Sequence, residues 1–316
     1  MEQVTVVIPN YNGKRYLNHC LNALYKNTDV KMEIIVVDNH STDGSVELAK
    51  QLFPDITYII LDKNYGFSRA VNEGIKKARA PYILLLNNDT QADDRFVYFL
   101  LKRIKESKDI FSAEAKMLQY KNPDRIDSAG TYYSALGWAF ARGKDKMASS
   151  YDRRCDTFAA CAGAAIYRKD LFEKIGFFDE NYFAYLEDID IGYRARINGY
   201  RNVYEPEARV LHIGSGTSGS KYNEFKVEYS ARNNIYLLYK NMPLFQIVLN
   251  APFLAAGFGA KVLFFMQKGL GKSYIRGIKK GVQLTRESAR LKVDLKNLKN
   301  YAKIQIELWI NVLRRW

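Results

Sequence analysis

Four groups of side chains in this sequence could do chemistry that packing alone does not ask for. Asp38 and Asp89 follow the apolar runs Ile34-Ile35-Val36-Val37 and Tyr82-Ile83-Leu84-Leu85-Leu86, where a carboxylate has no packing role. An Asp at such a turn can cap the next helix, but Asp43, one residue short of Ser45-Val46-Glu47 across Gly44, suits that task better. The run Asn87-Asn88-Asp89-Thr90 offers hard oxygen ligands of the kind that hold Mg²⁺ or Mn²⁺ against a diphosphate. In Glu187-Asp188-Ile189-Asp190, Asp190 stands four residues before Arg194, the spacing of an ion pair on a helix surface. Glu187 and Asp188 fall at the helix start, where the macrodipole favours the ionised form. An ionised carboxylate at a pocket edge can accept a proton from an attacking hydroxyl. Finally, His212 closes the run Val210-Leu211 and heads Ile213-Gly214-Ser215-Gly216-Thr217-Ser218-Gly219, a loop able to wrap a phosphate with backbone N–H groups. That setting makes His212 a metal or phosphate ligand, whereas His19, on a helix, and His40, in a turn, read as structural.

The elements that must position these groups follow from periodicity. Short apolar runs at Val4–Ile8, Ile34–Val37, Thr57–Leu61 and Tyr82–Leu86 alternate with amphipathic stretches at Arg15–Asn27, Ser45–Leu52, Gly66–Ala78 and Asp93–Ile104. Continuous apolar strands alternating with helices predict a mainly parallel sheet covered on both faces. Ligands of such sheets sit beyond the carboxyl ends of the strands, and those ends carry Pro9-Asn10-Tyr11-Asn12, Asp38-Asn39 and Asn87-Asn88-Asp89. The irregular stretch Asn122–Thr157 predicts an insertion over that edge. Helices are predicted at Lys169–Ile175 and from Glu187, with short strands near Asn202 and Val210.

The 316 residues, 47% hydrophobic and 26% charged, exclude wholesale disorder, collagen-like repeats and a polytopic membrane protein. Cys20, Cys155 and Cys161 are too few for a disulfide framework and lack metal-ligand spacing, which suits a reducing, cytoplasmic setting, and no signal peptide is expected. The formal net charge is +14, but residues 1–237 hold 33 basic and 31 acidic residues, whereas 238–316 hold 15 basic and three acidic ones. The basic character therefore belongs to the tail, which points to an anionic partner at one end. The composition shift places a boundary between Asn234 and Asn241, giving a body at 1–237 and a basic, amphipathic helical region at 238–316.

Taken together, Val7–Asn12, Val36–Ser45, Asn64–Gly74, Leu85–Thr90, Gly176–Glu180, Glu187–Asp190 and His212 resemble the family 2 glycosyltransferases, nearest their rhamnosyltransferase-like branch, over roughly residues 3–240 and in the expected order. The resemblance implies a GT-A fold and an inverting transfer of a sugar from a nucleotide diphosphate. It implies that Pro9, Asn10, Tyr11, Asn12 and Asp38 hold the nucleotide, with Gly66 and Asn88 completing the donor site. Asp38 would read the imide N–H of uracil or thymine. Asp89 would be the last Asp of the D-x-D metal motif, Asp188 beside Glu187 the general base, and His212 a metal ligand for Mg²⁺ or Mn²⁺. Asn87 stands where many members have Asp, so a single first-turn Asp must serve the metal. The Gln-x-x-Arg-Trp motif of processive relatives is missing, and Arg314-Arg315-Trp316 is not it, so one sugar per encounter is expected.

Two other readings compete with it. A nucleotidyltransferase would need a Gly-rich basic loop after the first strand, of which Asn10-Tyr11-Asn12-Gly13 is a poor version. A nucleic-acid binder would need reader motifs and spaced aromatics that the tail lacks, so no nucleic-acid partner is expected. The uncharged stretch 241–260 approaches the roughly 20 apolar residues of a membrane span. Pro243, Pro252, Gly257 and Gly259 dilute it, favouring an in-plane segment, while Lys268–Trp316 carries Ile275, Ile278, Leu291, Leu295, Leu298, Ile304, Leu308 and Trp309 among many cations. Peripheral attachment to the inner face of the cell membrane, beside a glycan or lipid-linked acceptor, is the expectation. The same helices also offer a surface for oligomerisation.

Overall fold

The computed structural model describes residues 3–214 and 222–315, so Ser215 to Gly219 of the expected phosphate loop lie outside the described residues. In chain order the elements are β1 (Val4–Asn10), α1 (Leu17–Tyr25), β2 (Met32–Asp38), α2 (Ser45–Leu52), β3 (Thr57–Ile60), α3 (Gly66–Lys77), β4 (Tyr82–Leu86), β5 (Thr90–Ala92), α4 (Phe96–Lys105) and β6 (Ile110–Gln119). There follow β7 (Asn122–Ser128), β8 (Thr131–Tyr133), β9 (Ala139–Ala141), β10 (Cys155–Thr157), β11 (Ala164–Arg168), α5 (Phe172–Ile175), α6 (Glu187–Ile197) and β12 (Arg201–His212). The chain closes with α7 (Glu224–Asn241), α8 (Leu244–Leu249), α9 (Ala251–Gln267), α10 (Gly271–Glu287) and α11 (Leu298–Arg314).

Among the described residues one sheet runs in the order β10-β12-β6-β11-β4-β1-β2-β3, with β5 added to β12 and β7 to β6. Side chains alternate between its two faces with the period of a strand. Val4, Val6, Ile8, Val36, Leu84 and Leu86 meet Leu17, Leu21, Phe96 and Leu100 of α1 and α4 on one side. Val7, Ile35, Val37, Ile83 and Leu85 meet Ala70, Val71 and Ile75 of α3 on the other. Burial on both faces is why these strands read as unbroken apolar runs; each fully buried Val, Leu or Ile contributes about 1.5–3 kcal/mol of transfer free energy.

The sheet departs from the sequence reading in three places. β11 runs antiparallel between β4 and β6, so the sheet is mixed around a parallel half. β6 was hidden by Glu114 and Lys116, polar residues that are nonetheless buried within it. The two short strands expected near Asn202 and Val210 are one strand, β12, whose pairing with β6 slips between Glu205 and Arg209. Pro206 sits at that slip, where the missing N–H costs no ladder hydrogen bond.

The C-terminal region packs back onto the body. Position 237 lies inside α7, and Tyr301, Ile304 and Leu308 of α11 share one apolar cluster with Tyr133, Phe158 and Tyr193. Ala135 N–H donates to the Leu308 carbonyl (2.9 Å), and Asn311 Nδ2 donates to the Tyr133 carbonyl (2.8 Å). Ile304 and Leu308, expected on a membrane-facing stripe, are therefore core residues. α10 presses on α7 through glycine: a Cβ on Gly277 would lie 2.3 Å from the Glu228 carbonyl oxygen. Among the described residues no helix is long and apolar enough to cross a membrane.

Candidate active site

The carboxyl ends of β1, β2 and β4 converge on a chain of polar contacts. Asn88 Nδ2 donates to Asn10 Oδ1 (2.7 Å), and Asn10 Nδ2 donates to Asp38 Oδ1 (2.8 Å) and Ser45 Oγ (3.0 Å). Asp38 also accepts from Ser41 N–H on Oδ2 (2.8 Å) and from Ser41 Oγ on Oδ1 (2.5 Å). A carboxylate offers about four acceptor sites, so one on Oδ2 is left. Asp43 closes the turn by accepting from the N–H groups of Ser45 (3.0 Å) and Lys14 (2.8 Å), although the cap position of α2 itself is Gly44. Asn39 ties this end to α3, donating to the Gly66 carbonyl (3.0 Å) and accepting from Tyr65 N–H (3.2 Å). Gly66 opens α3 at φ +82, and a Cβ there would lie 2.2 Å from the Phe183 carbonyl oxygen, so no larger residue fits.

Antiparallel pairing of β12 with β5 sets His212 opposite Thr90 and brings its Nε2 to 3.3 Å from Asp89 Oδ1. Its Nδ1 contacts Asp127 Oδ2 at 2.8 Å, and Asp127 is itself paired with Lys144. Burial disfavours the imidazolium, but hydrogen bonds to Asp127 and Asp89 outweigh that and lift His212 to about 9. Burial likewise pushes the Asp127 carboxyl up, and His212 and Lys144 outweigh it to hold the group below its ordinary range. Two ligands at right angles, each about 2.1 Å from a small divalent ion, stand about 3 Å apart. An ion that displaced the Nε2 proton would find Asp89 and His212 at about that spacing, with Asp127 fixing the imidazole through its other nitrogen. No group of three or more His, Cys, Asp or Glu converges on a metal position among the described residues.

Glu187 and Asp188 follow two consecutive non-glycine residues in left-handed backbone, Tyr185 (φ 74) and Leu186 (φ 69). Such conformations cost about 1–3 kcal/mol each and persist only where surroundings impose them. Here Asn233, fully buried on α7, donates to the carbonyls of Ala184 (2.8 Å) and Tyr185 (2.7 Å). The turn starts α6 with both carboxylates facing a cavity of about 1050 Å³. Burial pushes Asp188 up to about 6. Burial and the neighbouring Asp188 push Glu187 further, to about 8, with Oε2 lacking a hydrogen-bond partner. Burial raises both carboxyls, and standing side by side on the cavity they ionise less readily than exposed ones.

Pro9, Asn10, Tyr11, Gly66 and Asn88 line this cavity, as do Asp89, His212, Glu187 and Asp188. Asn12, which is exposed, and Asp38, which is buried, are not among its lining residues. Asn12, at φ 51, bonds Ser41 and Thr42, and Asp38 is 2% exposed. Asp190 is no surface ion pair: fully buried, it accepts from Arg194 (2.8 Å), Lys240 (3.0 Å) and Asn241 (2.8 Å), tying α6 to α7. Sequence reasoning missed Asp127, Asn233 and Glu114. Glu114 accepts from Ser128 Oγ (2.5 Å), Gly130 N–H (3.2 Å) and Cys161 N–H (2.8 Å), pinning two loops of the cavity wall. Burial raises it to about 7.

Residues 5–176, more than half of the chain, match the model of glycosyl transferase family 2. The chain belongs to that family. This glycosyltransferase, acting on nucleotide-sugar donors, is 24% identical over 239 residues to the N-acetylglucosaminyl-diphospho-decaprenol L-rhamnosyltransferase of Mycobacterium tuberculosis, covering 68% of this chain and 77% of that one. It is 23% identical over 229 residues to the poly-beta-1,6-N-acetyl-D-glucosamine synthase of Staphylococcus aureus, covering 71% and 53%. Its fold is that of S. aureus TarS 1–349 solved with UDP-GlcNAc, at TM-score 0.60 and 16% identity over 99% of this chain and 85% of that one. The Pyrobaculum calidifontis mannosyltransferase PcManGT, solved with GDP-Man and Mn²⁺, superposes at TM-score 0.53 and 16% identity, covering 96% and 87%. These likenesses establish the GT-A architecture of the enzyme.

Proposed function

We propose that this glycosyltransferase is an inverting, non-processive enzyme. It would move a sugar, rhamnose in preference, from a dTDP or UDP donor to a hydroxyl of a glycan or lipid-linked glycan in cell-surface polysaccharide synthesis. One observation carries the reading: the Glu187–Asp188 pair and the Asp89–His212 pair line the same cavity. Asp188 takes the proton from the acceptor hydroxyl as it attacks the sugar, with Glu187 beside it. Asp89 and His212 would hold Mg²⁺ or Mn²⁺, which when bound would supply positive charge for the departing diphosphate. Asp127 holds the imidazole ring so that Nε2 faces Asp89. The uracil or thymine base rests on the family resemblance at Asp38, which orders Asn10 and Ser41 beside the cavity, while the preference for rhamnose leans on the mycobacterial relative.

A panel of nucleotide sugars should give diphosphate release highest with dTDP-rhamnose and next with UDP-sugars, and excess chelator should suppress it. Asp89→Ala and His212→Ala should each raise the metal concentration needed for half-maximal rate by roughly 10–100-fold. Full activity in chelator, or tight binding of GDP with none of dTDP or UDP, contradicts these assignments.

Peripheral attachment to the cytoplasmic membrane face is the second part of the reading. Exposed apolar side chains run along the tail on α8, α9 and α11, with Leu244, Val248 and Leu313 64%, 66% and 77% exposed. Cations near an anionic surface add about 1 kcal/mol each, a contribution that salt screens and the apolar patch does not share. The full-length protein should co-sediment with anionic liposomes, and Leu244→Asp with Val248→Asp should abolish the part that resists high salt. Recovery of the parent protein in the supernatant at both low and high salt contradicts membrane attachment.

A further inference from the structure

A second cavity, about 370 Å³, adjoins the first and shares Phe140, Ala141 and Lys144 with it. Its cations come from segments far apart in sequence: Arg142, Lys144 and Lys146 follow β9, and Arg314 and Arg315 end α11. Lys144 is paired with Asp127. Among the described residues the other four have no carboxylate partner. The arginines are instead stacked on rings, Arg142 over Tyr151 (4.8 Å to the centroid), Arg314 over Tyr132 (5.0 Å) and Arg315 over Phe140 (5.6 Å). Stacking occupies the guanidinium faces, and although Arg142 donates one N–H to the Ala129 carbonyl (3.2 Å) and Arg314 one to Asn311 Oδ1 (3.1 Å), further N–H donors remain for an anion. Cations at the end of α11 have a simpler explanation in the helix dipole. That explanation does not extend to Arg142 and Lys146, which a different segment brings to the same cavity against like-charge repulsion.

We infer that this cleft binds the anionic group of the acceptor, a phosphate or diphosphate ester, so that the attached sugar hydroxyl enters the adjoining cavity beside Asp188. The inference rests on the lipid-linked acceptor reading above. It deepens that reading by assigning the acceptor's charge to residues that neither the donor nor the base uses.

The test is calorimetric titration of inorganic pyrophosphate and of farnesyl diphosphate in excess chelator, which weakens the donor site, into the full-length protein and a Lys146→Ala, Arg315→Ala variant. Both ligands should bind the parent and bind the variant roughly tenfold or more weakly, as expected for lost charge-assisted contacts. In turnover, KM for a prenyl-diphosphate-linked N-acetylglucosamine should rise, while donor hydrolysis without acceptor stays unchanged. Equal binding by parent and variant, or none by the parent, overturns the proposal. So does selective loss of binding to phosphatidylglycerol vesicles with pyrophosphate affinity intact, which makes the cleft a bulk-lipid headgroup site. Intact cleft behaviour without any transfer to the diphosphate-linked sugar counts against the acceptor reading alone, because the binding arm stands without it.

Discussion

Asp188→Asn should lower turnover by about 10²–10⁴-fold, the range lost with a positioned general base, while nucleotide-diphosphate binding stays near that of the parent. The amide keeps the shape of the side chain and its bond from Ile189 N–H (2.8 Å), so the loss is chemical rather than architectural. The parent enzyme should also lose kcat/KM as pH falls through about 6, because protonation of Asp188 removes the acceptor for the hydroxyl proton. Asp188→Asn should flatten that limb. Glu187→Gln should retain much of the activity and, by sign, resist alkaline unfolding better than the parent. A carboxyl whose folded pKa is raised above its unfolded value favours the fold at low pH and disfavours it as pH climbs through about 8. Wild-type turnover in Asp188→Asn with a dead Glu187→Gln exchanges the two roles.

Asp190→Ala should cost about 3–5 kcal/mol in urea unfolding, the penalty for stranding buried partner charges. Arg194 and Lys240 both converge on this carboxylate, and Arg194 also donates to the carbonyls of Gly176 (2.9 Å) and Phe177 (2.8 Å). Burial pushes the Asp190 carboxyl up, but Arg194 and Lys240 outweigh it and hold it below its ordinary range. Its contribution is therefore present above the unfolded value of 3.8 and lost as pH falls through the lower folded one. Asp190→Asn, which keeps hydrogen-bonding capacity, should lose less. A loss under about 1 kcal/mol for the alanine variant means that the cluster relaxes around the gap and does not hold α6 to α7.

The parallel half of the fold was legible because its strands are buried on both faces and its helices are amphipathic, so periodicity tracks burial directly. The same logic failed at β6, where Glu114 and Lys116 are satisfied by loop partners that follow in sequence, and at β12, where a register slip splits one strand into two apparent ones. Strand ends announced Asn10, Asn88 and Asp89, since polar groups after apolar runs have nowhere else to go. Asp127 and Asn233 gave no such signal. Asp127 acts through a ring delivered by β12, and Asn233 through carbonyls of a strained turn, contacts that exist only after long-range pairing. The i,i+4 spacing of Asp190 and Arg194 correctly named the pair. It gave the wrong solvent exposure, because nothing local reveals that α7 covers them.

α7 belongs to both ends of the molecule. Asn233 on this helix clamps the turn before Asp188, while the Glu228 carbonyl of the same helix bears on Gly277 of α10. The C-terminal helices thus buttress the turn that carries Glu187 and Asp188. Grafting a different anchor after residue 237 would remove that support, so a chimaera could reach its destination intact and arrive without a working base. The inner faces of α9 and α11 are committed to the core through Leu254, Tyr301, Ile304 and Leu308.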